Sequence, residues 1–284
     1  MNLGTNMAFF NIDDVEKLSL KRIEVCQGRN RPYDENVLSI LENIKRANTI
    51  KIPVSVHLPI FIPKDYPWDF LDAYYLDDDM TKVDYAFEIL EDNLKRLAIY
   101  DIDYYVLHFT GIYLKCEEDN AFKVKLLERC SRLNNLAMKY KIRIYAEYFG
   151  SNINFYNVGD WIEVFNTFEN LGILLDITHY YFSSKWRGFD FEENLKLLAS
   201  AAKAFHIWTT FGEGVYQESE GYLKYHHIVP NLEQRKADGW AFDTKEILDL
   251  ILLTSKPVII EASPLYGGGT YYLESILGIR KYVK

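Results

Sequence analysis

Six histidines and three strand-ending carboxylates carry most of the chemistry this chain can do. His57, His108 and His206 stand at or near the ends of short apolar runs. His179 follows another run by three residues, and His226 and His227 lie in a long connecting segment. The runs Ile-Arg-Ile-Tyr-Ala-Glu147, Ile-Leu-Leu-Asp176 and Val-Ile-Ile-Glu261 each terminate in a carboxylate. A charge buried at such a place is costly unless it is paired or binds metal. Taken singly, a His or Glu at a strand end is usually structural or solvated. Taken together, three carboxylates and a ring of imidazoles on one rim would repel or stay unsatisfied without a cation. A borderline metal such as Zn2+ or Mn2+ accepts this mixture of nitrogen and oxygen ligands.

The elements that must position these groups follow from hydrophobic period. Eight apolar runs read as strands: Leu3–Asn6, Arg22–Cys26, Pro53–His57, Asp103–His108, Arg143–Glu147, Ile173–Asp176, Ala204–Trp208 and Pro257–Glu261. Their continuous Val/Ile/Leu/Tyr character is that of parallel strands covered on both faces. Between them, Asn36–Arg46, Val83–Ile99, Ala121–Tyr140, Val158–Phe168, Phe191–Ala202 and Thr244–Leu253 repeat apolar residues at the 3.6 period of a helix. None of the six histidines falls in these helical segments. Strand and helix alternating eight times predict an α/β fold of one (β/α)8 TIM barrel over residues 1–284, with the active site at the C-terminal ends of the strands. Two long segments, Pro59–Thr81 and Thr209–Asp243, leave carboxyl ends and are expected to hang over that face. The first carries Trp68, Phe70, Tyr74 and Tyr75, so Trp68 is a candidate substrate wall.

Composition narrows the class. A chain of 284 residues suits one such barrel. No apolar run reaches the length of a membrane span, and the first ten residues do not read as a signal peptide. Cys26, Cys116 and Cys130 fit neither a disulfide framework nor a paired-cysteine metal motif, which favours a reducing, cytoplasmic setting. The formal charge of −9 argues mildly against broad nucleic-acid binding. It does not exclude a local basic cleft.

At the residues named above the chain resembles the xylose-isomerase-like barrel superfamily, which includes sugar isomerases and epimerases and the endonuclease IV family. Leu3-Gly4-Thr5 looks like the opening strand, and His57-Leu-Pro59 is similar to a His-x-Pro motif. His108-Phe-Thr-Gly111 looks like His-x-x-Gly, and Glu147 with Gly150-Ser151-Asn152 resembles the glutamate strand. Leu175-Asp176-Ile-Thr-His179 matches Asp-x-x-His, the most specific element, and His206 and Glu261 match the last two metal positions. The resemblance implies that Glu147, Asp176, His206 and Glu261 hold a divalent ion: Mn2+, Zn2+, Mg2+ or Co2+. His57 and His108 would lie beside it, and in the nucleases they bind a second ion bridged by the glutamate. His179 would be a substrate or neighbouring residue in isomerases and a ligand of a third ion in nucleases.

Three readings of function stay open at this stage. The favoured one is an isomerase or epimerase of a sugar or sugar phosphate, with Glu147 and Glu261 as base and acid. Against it, superfamily epimerases commonly carry an Arg a few residues after the strand-seven His, whereas His206 here precedes Ile-Trp-Thr-Thr-Phe-Gly. The second is an abasic-site endonuclease, with DNA as partner, supported by the extra histidines. Gln27-Gly-Arg29-Asn-Arg31 also resembles a phosphate-contacting loop. The nuclease family carries Asp-x-His-His after strand seven, where this chain has Lys224-Tyr225-His226-His227. An ammonium has no lone pair for a metal, so a third ion is not expected. Lys224 and His226 could instead meet an anionic group of a substrate. The third reading is a barrel that binds without catalysis. A homo-oligomer is compatible with all three.

Overall fold

The computed structural model describes residues 2–8, 12–27, 33–66, 74–110, 119–148, 157–211 and 226–283. Eight short strands lie within them: β1 (Leu3–Asn6), β2 (Arg22–Val25), β3 (Val54–His57), β4 (Tyr104–Leu107), β5 (Ile144–Glu147), β6 (Leu171–Asp176), β7 (Ala204–Ile207) and β8 (Val258–Ile260). Every neighbouring pair is parallel, and β8 returns to β1 through Leu3↔Val258, which closes the barrel. The eight runs expected from sequence thus all become strands, with ends shifted by two residues or fewer. Such short strands suffice because every residue in them is buried.

Helices α1 (Ile12–Lys17), α2 (Tyr33–Thr49), α3 (Met80–Leu97), α4 (Asp119–Tyr140), α5 (Val158–Asn166), α6 (Ile177–Arg187), α7 (Phe191–Ala201), α8 (Thr244–Leu252) and α9 (Gly268–Tyr282) complete the described chain. Their starts are chemically marked. Asp79, Asn157 and Asp190 each accept a backbone N–H from the first turn that follows, satisfying donors that the helix leaves orphaned. Three helices have no counterpart in the sequence expectations: α1, α6 and α9. The omission of α6 matters, because His179 sits in its first turn rather than in a loop. Residues Ile177 to Ser184 of α6 are all buried, so no polar face exists to reveal a helical period.

Register sorts each strand into an outward and an inward set. Outward residues such as Ile23, Val54, Val56, Tyr105, Leu107 and Ile144 join the helices in one large apolar cluster. The pairs Asn6↔Glu24, Glu24↔Ser55, Ser55↔Tyr104, His57↔Val106, Glu147↔Leu174, Leu174↔Ala204 and Asp176↔His206 define the inward set. Its apolar members Tyr104, Val106, Tyr145, Leu174 and Ala204 form a separate small cluster inside the barrel. Apart from Gly4, Gly172 and Ile259, the other inward strand residues are polar: Asn6, Arg22, Glu24, Ser55, His57, Glu147, Asp176 and His206, most of them toward the carboxyl ends.

Both long segments return to that end where they are described. Tyr75 is buried and stacks on Phe109, the residue after His108, at 5.3 Å between ring centroids. Thr209 and Ile228 exchange backbone hydrogen bonds of 2.9 and 3.1 Å, which brings His226 and His227 against Trp208 at 4.5 and 4.4 Å.

Candidate metal centre

The four carboxyl-end residues Glu147, Asp176, His206 and Glu261 meet. One ligand atom from each lies within 4.8 Å of every other. A second group, His57, His108 and Glu147, shares the same glutamate. Strand alternation explains the meeting. Glu147 and Asp176 close β5 and β6, His206 lies in β7 in register with Asp176, and Glu261 follows β8. Parallel strands tilted around a closed barrel bring such ends to one rim.

Glu147 is the hub. Its Oε2 is 2.9 Å from His57 Nε2, 3.2 Å from His108 Nε2 and 3.6 Å from His206 Nδ1. Its Oε1 is 3.7 Å from His179 Nε2. Burial raises the pKa of this carboxyl, but the charges of His108 and His206 outweigh burial and hold it well below the usual carboxylate range. Glu261, with Oε2 2.9 Å from His206 Nδ1, is likewise raised by burial but brought down to about 2 by His206 and His227. Both are therefore ionised at neutral pH.

Asp176 behaves differently. Burial first, then the charges of Glu147 and Glu261, push it up to about 8. It is also the N-cap of α6: Oδ1 accepts the His179 backbone N–H at 2.7 Å, and Oδ2 accepts the Trp208 indole N–H at 2.8 Å. These donors orient the carboxyl while leaving each oxygen a second lone pair. Asp176 thus holds a proton in the metal-free protein, and a cation would displace it.

The imidazoles divide by partner. Burial lowers His57, but the hydrogen bond and charge of Glu147 outweigh it and leave the ring at about 9. His206 is also lowered by burial, yet Glu24, Glu261 and Glu147 raise it well above the ordinary value. His108, His179 and His227 go the other way, because burial dominates their surroundings. Cys26, close enough to feel the charges of Glu24 and Glu261, is driven far up by burial and stays a thiol.

The donor set fits a divalent cation on an observation internal to the structure. His206 is fully buried, and neither ring nitrogen has an aligned hydrogen-bond partner. Its short approaches to Glu261 and Glu24 are contacts of charge, off the line of the N–H bonds. A cation among three carboxylates and this imidazole would turn repulsion into coordination, with ligand types suited to Zn2+ or Mn2+.

Sequence reasoning missed three contributors. Glu24, in the middle of β2, places Oε1 2.7 Å from His206 Nε2. Ser55 of β3 donates its hydroxyl to Glu24 Oε2 at 2.9 Å. Trp208 is the third, through its indole. The signal for Glu24 is a carboxylate two residues from Arg22 inside an apolar run, away from any strand end. His226 lies beside the centre, with its ring centroid 6.2 Å from that of His179. Arg29, Arg31, Trp68, Phe70, Cys116, Gly150-Ser151-Asn152 and Lys224 lie outside the described residues.

Comparisons with known proteins agree with this architecture. The family model described as xylose isomerase-like TIM barrel matches residues 12–244. Among solved structures, the IolI protein with a bound zinc atom is 16% identical, with a TM-score of 0.66 over 100% of this chain and 96% of that one. A D-tagatose 3-epimerase-like protein is 14% identical, with a TM-score of 0.67 over 100% and 97%. The 3-keto-D-glucoside 4-epimerase YcjR from E. coli, in its apo form, is 13% identical, with a TM-score of 0.62 over 99% and 99%. At these identities the likeness concerns the fold. Among curated proteins, a DNA mismatch repair protein MutS from Cytophaga hutchinsonii matches at 30% identity over 97 residues, or 34% of this chain. The chain spans only 11% of that relative's length.

Proposed function

We propose that this chain, which belongs to the xylose isomerase-like TIM barrel family, is a divalent-metal-dependent isomerase or epimerase of a sugar or sugar phosphate. One observation carries the reading: Glu147, Asp176, His206 and Glu261 converge at the carboxyl end of the barrel. The epimerases among its structural neighbours support the substrate class.

The reaction requires a base beside a carbon adjacent to a carbonyl, and an acid to return the proton. A divalent cation held by these four side chains would supply electrophilic stabilisation of the charge that develops on the substrate oxygens. Glu147 and Glu261 are both ionised, so either can accept the C–H proton and, then protonated, return that same proton to the substrate, or the other can return one taken up from water. His57, hydrogen-bonded to Glu147, holds that carboxylate in place. Trp208 and the α6 N-terminus hold Asp176. The aromatic segment Pro59–Thr81, with Trp68, would cover the site and exclude water. His179, His226, Lys224 and Arg29 would meet polar or anionic groups of the substrate.

Incubation of the metal-reconstituted protein with ketoses in D2O tests this. Deuterium should enter at the carbon next to the carbonyl, and metal removal should stop it. No exchange with any ketose or ketose phosphate would sink the proposal.

The His57–His108–Glu147 group favours a second reading, since it offers room for another ion beside the first. That reading is an abasic-site phosphodiesterase with DNA as substrate. Cleavage of an abasic oligonucleotide, with two or three ions bound per chain, would replace the first reading.

A further inference from the structure

The His206 ring is fully buried and stands between two sets of carboxylates. On one side Nδ1 faces Glu261 at 2.9 Å and Glu147 at 3.6 Å. On the other, Nε2 faces Glu24 Oε1 at 2.7 Å. Glu24 belongs to β2 and His206 to β7, so the contact reaches across the barrel interior. Glu24 is itself 1% exposed and anchored by Ser55, which stands opposite it in the β2–β3 register.

A neutral imidazole has one N–H and one lone pair, and a buried N–H needs an acceptor. To ligate a cation among Glu147, Asp176 and Glu261, His206 must present the Nδ1 lone pair. Its proton then sits on Nε2; among the described residues the carboxylate facing this nitrogen is Glu24, at 2.7 Å, although the contact is off the N–H line in this structure. We infer that Glu24 is the positioning residue of the metal centre: with the ion bound, it accepts the Nε2–H of His206 and thereby selects the tautomer and ring orientation that aim Nδ1 at the ion. This assignment rests on the metal reading of the same site. Ser55 acts one step further out, fixing Glu24 through its second oxygen. Carboxylate partners of this kind raise ligand basicity and typically change metal affinity by about 10–100-fold when removed.

The test uses metal-stripped full-length chain, with Zn2+ and Mn2+ as the only probes, titrated against a competing chelator. E24A should bind Zn2+ about 10–100-fold more weakly than wild type. E24Q, whose amide oxygen still accepts a proton, should lose several-fold only. In Zn2+-loaded protein labelled with 15N-histidine, the wild type should show a slowly exchanging His206 Nε2–H signal that E24A lacks. A purely structural glutamate would leave both readouts unmoved in any folded variant. Wild-type affinity together with an unchanged Nε2–H signal in E24A would overturn the assignment alone. Should E24A not fold, E24Q decides: Zn2+ affinity equal to that of the wild type overturns it. A wild-type chain that binds neither ion would overturn the metal reading, and this assignment with it.

Discussion

The two ends of the barrel interior both bury charge, and they handle it in opposite ways. At the amino end Arg22 is fully buried, with Nη2 3.2 Å from Asp103 and its guanidinium carbon 4.9 Å from the Tyr104 ring centroid. Asp103 also pairs with Arg143 at 2.7 Å, and Tyr104 stacks on Tyr145. There each arginine meets a carboxylate of the protein itself, although Asp103 is shared between the two and Arg22 Nε and Nη1 have no hydrogen-bond partner. At the carboxyl end four carboxylates, Glu24, Glu147, Asp176 and Glu261, surround imidazoles and no lysine or arginine pairs with them among the described residues. Asp176 answers by keeping a proton. Buried charge alone does not mark a functional site; buried carboxylates balanced only by imidazoles and a retained proton do, because a cation can displace those protons.

If this contrast is right, the largest separation should come from charge removal at the carboxyl end. Glu147→Gln or Glu261→Gln should lower turnover by about 100-fold or more, the usual contribution of a positioned base or acid. The melting temperature of the metal-free chain should also fall, since the net interaction of each carboxylate with the imidazoles around it is favourable. Steady-state rates on whichever ketose exchanges deuterium provide the check. Near-normal rates would remove that glutamate from proton transfer.

Arg22→Met should act on stability alone. The change removes the Arg22 hydrogen bond to Asp103, which keeps Arg143 as a partner, and should cost roughly 1–3 kcal/mol, measured by urea unfolding. Zn2+ affinity should stay at the wild-type level. A variant that keeps its stability but loses metal would show that the two ends are not separate.

Metal addition is the third comparison. Free ion at about 100 times its Kd should stabilise the fold by roughly 2.7 kcal/mol through linkage. The pH dependence of the metal-free chain sharpens this. His57 is raised from 6.5 to about 9, so its stabilisation is complete below 6.5 and disappears as pH rises through 9. Asp176 is raised from 3.8 to about 8, so its contribution likewise fades as pH rises through 8. Melting temperature should therefore drop on the alkaline side without metal. With metal the drop should shrink, because the cation replaces the proton on Asp176. An equal drop in both forms would count against a cation at this place.

The smallest effect should come from Gly4→Ala at the amino end. A Cβ there would stand 2.3 Å from Arg22 Cγ and 2.5 Å from the Arg22 carbonyl oxygen. Only glycine permits that approach, and overpacking of this kind costs about 1–3 kcal/mol. Thermal unfolding should register the loss, and metal titration should not.

Much of this was legible in the chain itself. The eight strands declared themselves as short runs of Val, Ile, Leu and Tyr, because strands covered on both faces have no solvent side to interrupt them. The amphipathic helices α2 to α5, α7 and α8 were visible for the complementary reason. Helix α6 was not, since Ile177 to Ser184 are buried all round and show no period. The sequence therefore places His179 three residues past a strand and in no helix, although Asp176, three residues earlier, is a common N-cap type. Glu147, Asp176 and Glu261 stood out because each ends an apolar run. Glu24 did not, because it lies inside one.

The sequence by itself determined the alternation of strand and helix, and with it the rule that strand-end polar groups gather on one rim. It determined that carboxylates and imidazoles would dominate that rim. Only the tertiary structure decided which nitrogen of His206 faces the other ligands, and that Glu24 of β2 stands behind it from across the barrel. Period and composition are properties of neighbours along the chain. The register with which eight strands close on one another is set by packing around the whole barrel, and that closure brings residues 24 and 206 to 2.7 Å.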